Sequence, residues 1–345
     1  MPSTVPAMSS VFLEHPSSFE HDTGGHPEQP ARIAAIQREL DQRSWLGFER
    51  IRSPAVDRDV LTAVHPEAYV ESIERLSERG GGALDLDTVA SAGSWGAALH
   101  AAGDAVRMVE MLLDGEAERA FSAHRPPGHH AVRARAMGFC LFNNVAVAAR
   151  FALDARGLDR VMIVDWDVHH GNGTNDIFHS SPEVLFVSIH QWPLYPGSGA
   201  ASDVGAGDGE GFTVNLPVPA GTGDDAYRSL VQGIVVPLAG EYRPQLVLIS
   251  AGYDAHRDDP LADCGVTEEG FAAMTLAIRD AADSVGAPLG CVLEGGYALG
   301  ALARSVAATM EAMVEAHAVS PPLVADGALV EDARGRLSRW WPVLA

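Results

Sequence analysis

The chain has 345 residues, 47% of them hydrophobic, and a formal net charge of −22 with no lysine. A chain this acidic is not expected to bind nucleic acid by neutralising phosphates, but it should attract cationic substrates or partners. The acidity is equally consistent with a role in solubility alone. The length is sufficient for one large α/β domain.

The cysteine content and the hydropathy argue against several other classes of protein. The three cysteines include no CxxC pair, so neither a disulfide framework nor a zinc knuckle is expected. Cys140 and Cys291 lie in apolar runs and are predicted to be buried. No signal-peptide pattern opens the chain, and no apolar run approaches the roughly 20 residues of a membrane span. We therefore expect a cytoplasmic protein that contacts no membrane, and leave open whether it forms an oligomer.

Residues 1–30 contain His15, His21 and His26 without a defensible ligand spacing, and about 1–25 are predicted to form an N-terminal loop. Apolar periodicity then predicts alternating helices and strands. The predicted helices span 31–43, 66–78, 95–113, 143–154, 224–238, 268–284 and 299–317. The predicted strands span 119–122, 161–164, 184–189, 246–251 and 289–294. Residues 80–82 and 193–211 are predicted loops, and about 320–345 a tail packed on the surface.

This alternation predicts an α/β fold: a single domain over 1–345 with an open, mainly parallel sheet and helices on both faces. Polar clusters follow four of the predicted strands. They are His129 with His130, the 165–169 segment, Asp254 and Tyr297. Because ligands in open α/β sheets bind outside the carboxyl ends of the strands, these clusters are expected to form one pocket.

The segment 161–173 is the centre of this prediction. Asp165, Asp167 and His169 alternate directly after a buried strand, so their side chains point the same way in an extended chain. A polar turn with no function is the simpler interpretation, but unpaired charge at the end of a buried strand is costly. The pattern therefore favours half of a metal site.

Three residues, Asp167, His169 and Asp254, form an oxygen-rich ligand set that is typical of catalytic zinc. His129 and His130 follow a rigid Pro-Pro-Gly turn, which favours positioned proton-transfer groups. Asp165 can hold one imidazole and Asn172 the other, while Tyr297 can direct a hydroxyl at a developing oxyanion. These groups together predict metal-assisted hydrolysis of a carbonyl compound.

Five ordered motifs carry a family resemblance. They are Arg125-Pro-Pro-Gly-His-His130, Gly138-Phe-Cys140, Asp165-Trp-Asp-Val-His-His-Gly-Asn-Gly173, Ala251-Gly-Tyr-Asp254 and Glu294-Gly-Gly-Tyr297. The chain resembles the zinc-dependent histone deacetylase superfamily, closest to its class II branch and to bacterial histone deacetylase-like amidohydrolases. The resemblance implies the arginase–deacetylase fold and removal of acyl groups from amines, typically ε-acetyl-lysine.

The resemblance also implies a role for each matching residue. Asp167, His169 and Asp254 match the zinc ligands, although ferrous iron stays open as the native metal. His130 matches the general base and acid, His129 its partner, and Asp165 the carboxylate paired with His129. Tyr297 matches the residue that polarises the acyl carbonyl. Asn172 stands where the class I pattern has Asp, so the second His–carboxylate pair is absent.

Further residues match the substrate tunnel and the structural ions of the family. Gly138, Phe139 and Tyr195 match the tunnel wall. Ser91 matches a rim serine that accepts the substrate amide. Leu261 matches the position that holds an acidic gatekeeper in relatives that prefer acetylpolyamines. The family also implies bound potassium ions. The inner site would use Asp165 and Ser188 with carbonyls of Asp167, His169 and Ile189, and the outer site carbonyls near Phe178, Ser181, Val184 and Phe212.

We therefore expect a zinc-dependent amidohydrolase acting on an acylated lysine peptide or a small acylated amine. The nearest alternative is an acetylpolyamine amidohydrolase with the same machinery. A non-catalytic acyl-lysine binder is disfavoured by the intact Tyr297 and histidine pair, and an arginase-like manganese hydrolase by the tandem histidines and aromatic wall.

Overall fold

Strand and helix segments alternate along the chain and build one large sheet. The computed structural model describes residues 9–315 and 327–345. The strands are β1 (Ser9–Glu14), β2 (Glu49–Arg52), β3 (Gly81–Ala83), β4 (Val89–Ser91), β5 (Ala117–Ser122), β6 (Val161–Asp165), β7 (Val184–Gln191), β8 (Thr213–Val218), β9 (Leu246–Ala251) and β10 (Leu289–Leu293). Eight of them form a sheet in the order β2-β1-β5-β10-β9-β6-β7-β8, with parallel neighbours throughout. The strands β3 and β4 form a separate antiparallel hairpin.

Helices cover both faces of this sheet. They are α1 (Ala31–Gln42), α2 (Arg58–Thr62), α3 (Glu67–Glu78), α4 (Ser94–Leu113), α5 (Asn144–Asp154), α6 (Asn172–Phe178), α7 (Asp224–Leu230), α8 (Val236–Tyr242), α9 (Glu268–Val285), α10 (Leu299–Val314) and α11 (Ala328–Leu337). The predicted α/β class, with an open parallel sheet between helical layers, is confirmed.

Side chains of the central strands alternate between two apolar clusters. In β6, Met162 and Val164 belong to the cluster that includes residues of α1, α9 and α10, whereas Val161 and Ile163 belong to the cluster that includes residues of α3, α4 and α5. Every residue of this strand is buried, which is why its sequence is continuously apolar. The strand ends on Asp165, which is also buried.

The N-terminal segment contradicts one expectation. Residues 1–30 are predicted to be irregular, but β1 pairs with β5 on one side and β2 on the other. The apolar run of β1 contains only Val11, Phe12 and Leu13, all buried. A run this short has no readable periodicity, so pairing with distant strands decides its structure.

Four more short strands, β2, β3, β4 and β8, are absent from the predicted set. In β8, Val214, Leu216 and Val218 alternate toward the core, but Pro217 gives the segment the appearance of a loop. Proline is tolerated here because β8 lies at the edge of the sheet. The predicted loop 80–82 also differs, since β3 begins within it.

The predicted helix 224–238 is longer and is interrupted by a π-helical turn, Val231–Val235, between α7 and α8. The predicted tail contains α11, and Trp341 is buried with its indole N–H donating to the Gly211 carbonyl at 2.8 Å. The tail therefore belongs to the core. The predicted end of the preceding helix at His317 lies outside the described residues.

All three cysteines are buried and unbridged, in agreement with the prediction for Cys140 and Cys291. Within residues 9–315 and 327–345, none of the helices has both the length and the apolar character needed to cross a bilayer. The cytoplasmic location and the oligomeric state stay predictions.

Candidate active site

Four neighbouring strands bring the predicted polar clusters to one edge of the sheet. The strands β5, β10, β9 and β6 lie side by side, and the polar segments follow their carboxyl ends. The register also ties the edge together, because Asp165 is paired with Ser188 in β7 and with Ser250 in β9. Sequence-distant residues therefore meet in one place, as the strand-end rule predicts.

The centre of this place is a buried group of two carboxylates and one imidazole. Among the described residues, Asp167, His169 and Asp254 form the one group with metal-ligand potential, with ligand atoms within 4.8 Å of one another. His169 Nδ1 lies 3.2 Å from Asp167 Oδ1 and 3.1 Å from Asp254 Oδ2. Burial lowers the pKa of His169, but the two carboxylates outweigh it and raise this pKa to about 10. The site therefore favours positive charge at its centre.

Backbone donors hold these carboxylates in place. Asp254 Oδ1 accepts from the N–H of Val168 at 2.9 Å, and Asp167 Oδ2 accepts from the N–H of Gly295 at 2.9 Å. Asp167 Oδ1 also accepts from the N–H of His169. The loops after β6, β9 and β10 are thus joined through the proposed ligands themselves.

The two adjacent histidines have different partners. His129 Nδ1 lies 3.0 Å from Asp165 Oδ2, and His130 Nδ1 lies 2.7 Å from Asn172 Oδ1. Because an amide oxygen only accepts, His130 carries its proton on Nδ1 and leaves Nε2 with a free lone pair. Both pairings are the ones that the sequence suggests for Asp165 and Asn172.

The surroundings of the two histidines give them different charge states. Burial lowers the pKa of His129, but Asp167 and Asp165 outweigh it and hold this pKa well above its usual value. Burial, together with the neighbouring His129 and His169, holds the pKa of His130 well below its usual value. The pair therefore combines a cationic imidazole with a neutral one.

Tyr297 extends from a glycine turn directly after β10. Gly296 has φ +117°, and a Cβ atom there would lie 3.0 Å from side-chain atoms of Leu302 and Tyr253, so the turn requires glycine. Arg32 donates to the Gly296 carbonyl at 2.7 Å, and its guanidinium lies 5.0 Å from the centre of the Tyr297 ring. Burial holds the pKa of the Tyr297 hydroxyl well above its usual value, so the hydroxyl stays a donor.

A pocket of about 190 Å³ leads to these groups. It is lined by Asp87, His130, Gly138, Phe139, His169, Leu194, Tyr195, Leu261 and Tyr297. The Phe139 ring meets the Tyr297 ring edge-on at 5.7 Å, and the Tyr195 ring meets that of His130 edge-on at 5.1 Å. The pocket is therefore narrow, aromatic along its wall and polar at its base.

The conformation of the 138–139 turn is part of this wall. Both residues have positive φ, +56° for Gly138 and +70° for Phe139. A Cβ atom on Gly138 would lie 2.3 Å from the His130 ring, so only glycine allows the turn to approach the histidine. The N–H of Phe139 donates to the Thr88 hydroxyl at 3.1 Å, which connects the wall to the β3–β4 hairpin.

Comparison with known proteins agrees with this geometry. Residues 26–313 match the histone deacetylase domain. The chain is 43% identical to the histone deacetylase-like amidohydrolase of Pseudomonas aeruginosa, over 79% of this chain and 73% of that protein. It is 38% identical to a probable deacetylase of Archaeoglobus fulgidus, over 97% and 99%. The crystal structure of the HDA15 HD domain matches with a TM-score of 0.90 at 35% identity, over 97% of this chain and 96% of that one.

The chain belongs to the histone deacetylase family. The resemblance drawn from the five motifs is thereby confirmed. Membership places the protein among deacetylases and amidohydrolases that act on acylated amines. The identity of the metal and of the substrate is a finer question, which depends on the residues of this particular site.

The mouth of this histone deacetylase pocket differs from the sequence prediction. Ser91 lies in β4, where its hydroxyl contacts the Glu20 carbonyl, the Asp22 N–H and the Ser94 hydroxyl. It is absent from the pocket lining, which instead includes Asp87. The three-residue loop between Leu84 and Thr88 turns inward through hydrogen bonds to Asp85, and such a turn is not readable from apolar periodicity.

The two acidic residues before Leu261 do not line the pocket. Asp259 is only 7% exposed and accepts hydrogen bonds from three backbone N–H groups, while Asp258 is exposed and lies 3.9 Å from Arg304. The acid at the pocket is therefore Asp87, which sequence reasoning does not single out.

Glu294 belongs to one of the five motifs, but sequence reasoning assigns it no role. Its Oε2 accepts from the N–H groups of Gly128 and His129 at 2.7 and 3.1 Å, and its Oε1 accepts from the Ser250 hydroxyl at 2.9 Å. Glu294 thus fixes the backbone of the histidine turn to the end of β10. A carboxylate at the end of a buried strand is the available signal, the same one that identifies Asp165.

A buried ion-pair cluster supports the turn from below. Glu28 lies between Arg32 and Arg125, and all three side chains are fully buried. Arg32 also donates to the carbonyls of Glu294 and Gly296, and Arg125 to those of Ser18 and His21. The cluster binds the N-terminal segment to the floor of the pocket.

The residues of the two expected potassium sites lie at different points along β7, with Val184 of the outer set at its first residue and Ser188 and Ile189 of the inner set in its second half. Near the inner site, the Ser188 hydroxyl contacts His190 Nδ1 at 2.9 Å, and Asp165 Oδ1 accepts from the N–H of Asp167. Near the outer site, the Phe178 carbonyl accepts from Ser181 and the Phe212 carbonyl from Phe186. The remaining residues of the two sets are Asp167, His169 and Ile189 for the inner site and Val184 for the outer one. Potassium binding stays a prediction.

Proposed function

We propose that this protein is a zinc-dependent deacylase of acyl-lysine side chains. One observation carries the proposal. The buried Asp167–His169–Asp254 group reaches a narrow aromatic pocket through His169, and His130 and Tyr297 line the same pocket. Metal ligands, a proton acceptor and a hydroxyl donor thus face one small space, as amide hydrolysis requires.

The donor set fits a divalent ion. Two carboxylates and one imidazole would leave a coordination position open, as catalytic zinc sites do. Ferrous iron accepts the same oxygen and nitrogen donors. When bound, the ion supplies Lewis acidity and lowers the pKa of water.

The two histidines would divide the proton transfers. The free Nε2 of neutral His130 accepts a proton from the attacking water and later returns it to the leaving amine. His129, held cationic between Asp165 and Asp167, supplies a fixed positive charge beside the reacting centre. Asn172 keeps His130 in the tautomer that this role requires.

Tyr297 would complete the site from the opposite wall. Its hydroxyl is protonated across the physiological range, so it can donate a hydrogen bond to the carbonyl oxygen as negative charge develops. Arg32 fixes the peptide group that carries this side chain. The tyrosine is therefore placed before the substrate arrives.

The pocket wall favours an extended alkyl amine substrate. Phe139, Tyr195, Leu194 and Leu261 offer apolar surface to the four methylene groups of a lysine side chain, each worth roughly 0.8 kcal/mol on desolvation. One observation favours a second candidate, an acetylpolyamine amidohydrolase. The Asp87 carboxylate lies at the pocket, where it offers a partner to a secondary ammonium group.

A substrate panel tests the proposal. The metal-loaded enzyme is assayed with acetyl-lysine peptides, longer acyl-lysine peptides and acetylspermidine at matched ionic strength. We expect the highest kcat/KM with an acetyl-lysine peptide. A higher value with acetylspermidine would favour the second candidate, and no turnover of any acylated amine would reject both.

A further inference from the structure

Within residues 9–315 and 327–345, the hydrogen bonds to the carboxylate of Asp259 all come from backbone N–H groups, and these belong to two walls of the pocket. Its Oδ2 accepts from the N–H of Tyr297 at 2.7 Å and from that of Ala298 at 3.2 Å. Its Oδ1 accepts from the N–H of Leu261 at 3.0 Å. Tyr297 and Leu261 line the pocket, whereas Asp259 lies behind it. Hydrogen bonds from N–H groups to a buried carboxylate are short and strong.

The peptide group between Gly296 and Tyr297 is held at both of its polar ends. Arg32 donates to the carbonyl oxygen at 2.7 Å, and Asp259 accepts from the N–H at 2.7 Å. A cation on the oxygen and an anion on the N–H polarise the peptide in the same direction, so each hydrogen bond strengthens the other. The glycine conformation of this turn, φ +117°, has little rigidity of its own.

We propose that Asp259 is a positioning residue for Tyr297 and that it also couples Leu261 to the tyrosine. The inference rests on the proposed function, because it assumes that the Tyr297 hydroxyl acts on the substrate carbonyl. Asp259 touches neither substrate nor metal ligands in this role. It fixes the peptide plane from which the tyrosine side chain extends, and the same carboxylate fixes the leucine that borders the entrance.

Small displacements of this peptide group reach the hydroxyl directly. The tyrosine side chain is rigid beyond its two torsions, so a rotation of the peptide plane moves the oxygen at the end of the ring. A misplacement of about 1 Å at a catalytic group costs on the order of 10²-fold in rate. Loss of the Asp259 contacts should therefore lower the rate of the chemical step, while the affinity for the substrate changes less.

The first test is Asp259→Asn. An amide has one acceptor oxygen, and its NH₂ group faces an N–H donor, so at least one of the two walls loses its contact. We expect kcat to fall about tenfold to hundredfold, with a small change in KM and unchanged zinc content. Asp224→Asn is the matched control, because Asp224 accepts from the N–H and hydroxyl of Thr267 away from the pocket. It should retain the wild-type kcat.

A double-mutant cycle separates positioning from general stability. In a Tyr297→Phe background the hydroxyl is already gone, so Asp259→Asn should add little further loss of kcat. Equal costs of Asp259→Asn in both backgrounds would overturn the positioning role while leaving the proposed function intact. A wild-type kcat for Tyr297→Phe alone would instead overturn the role of Tyr297 and, with it, this inference.

Hydrogen exchange gives a readout that does not depend on turnover. In the wild-type protein the amides of Leu261, Tyr297 and Ala298 should exchange slowly despite lying in loops. Asp259→Asn should accelerate exchange in peptides covering 259–262 and 295–299, and Asp224→Asn should not. Fast exchange of these amides in the wild-type protein would reject the inference, whether or not the variant folds.

Discussion

The floor and the mouth of the pocket are built differently. At the floor, Asp167, Asp254 and the two histidines are buried, and each has a hydrogen-bond partner. The partner comes from a strand end or the loop directly after it, except that His130 uses Asn172 at the start of α6. At the mouth, Asp87, Tyr195 and Leu261 come from three separate loops, and Tyr195 is 37% exposed. The floor is fixed by the sheet, whereas the mouth is shaped by loops.

This difference separates reaction from selectivity. Groups that share buried hydrogen bonds cannot change singly without leaving a partner unsatisfied, so the chemistry at the floor is tightly constrained. Half-exposed loop residues can change at little cost in stability. We therefore expect floor variants to abolish turnover or folding, and mouth variants to alter the choice of substrate.

The largest effect is expected from Asp254→Ala. This change leaves two proposed ligands and removes the acceptor of the Val168 N–H, so both metal retention and turnover should be lost. Metal analysis of the purified variant and an acetyl-lysine assay measure the two losses. Asp258→Ala, which alters an exposed neighbour, should retain both. Full metal occupancy in Asp254→Ala would exclude Asp254 as a ligand.

Tyr297→Phe should have the next largest effect. It retains the ring that packs against Phe139 and removes only the hydroxyl. Loss of one oxyanion donor should lower kcat by roughly 10²–10³-fold, with KM little changed. Steady-state kinetics on an acetyl-lysine peptide provide the measurement. A kcat near the wild-type value would show that the tyrosine serves only in packing.

Glu28→Gln should affect folding more than chemistry. Burial raises the pKa of Glu28, but Arg125 outweighs it and lowers this pKa from 4.5 to about 2. A carboxyl with a depressed folded-state pKa stabilises the fold above the unfolded pKa, and this contribution is lost as pH falls from about 4.5 through about 2. The shift corresponds to roughly 3 kcal/mol at pH 7.

Urea unfolding at pH 7 should therefore show the Glu28→Gln variant less stable by about 3 kcal/mol, the scale of breaking a buried pair. The difference from wild type should shrink between about pH 4.5 and 2. Asp87→Asn, at the mouth, is the control and should unfold close to wild type. Equal stability of Glu28→Gln and wild type at pH 7 would show that the buried cluster contributes little.

The same contrast explains what could be predicted from the sequence. The floor residues Asp167, His169 and Asp254 directly follow apolar strands. Carboxylates and a histidine are costly at such buried positions unless they bind a metal or a partner, so this group can be proposed from the sequence alone. Arg32 and Asp259 act through backbone carbonyls and N–H groups of distant segments, and Glu28 acts through the side chain of the distant Arg125. Contacts between segments so far apart in the chain leave no local sequence pattern. The short strands β1, β2 and β8 escape prediction because sheet pairing, rather than periodicity, determines them.

The mouth is the part of the site that the sequence predicts least well. Its variants are expected to have the smallest effect, a change in the preference between two substrates. From Leu261 alone, acetyl-lysine peptides are expected to be preferred over acetylspermidine, because a leucine offers no charge to a secondary ammonium. The structure adds the Asp87 carboxylate to the same lining. Burial and the nearby Asp85 raise the pKa of Asp87, so a higher assay pH favours its charged form.

Asp87 and Leu261 lead to opposite predictions for substrate preference, and one experiment distinguishes them. An ion pair at 4 Å contributes about 1 kcal/mol in water and up to about 4 at an effective dielectric constant near 20. For a half-exposed carboxylate the lower figure applies, so Asp87→Asn should reduce kcat/KM for acetylspermidine about fivefold and hardly change that for a neutral peptide. Leu261→Glu should shift the ratio toward the polyamine, and both shifts should weaken at high salt. If wild type prefers acetylspermidine and loses this preference in Asp87→Asn, then Asp87 rather than Leu261 determines selectivity, and the polyamine becomes the better substrate assignment.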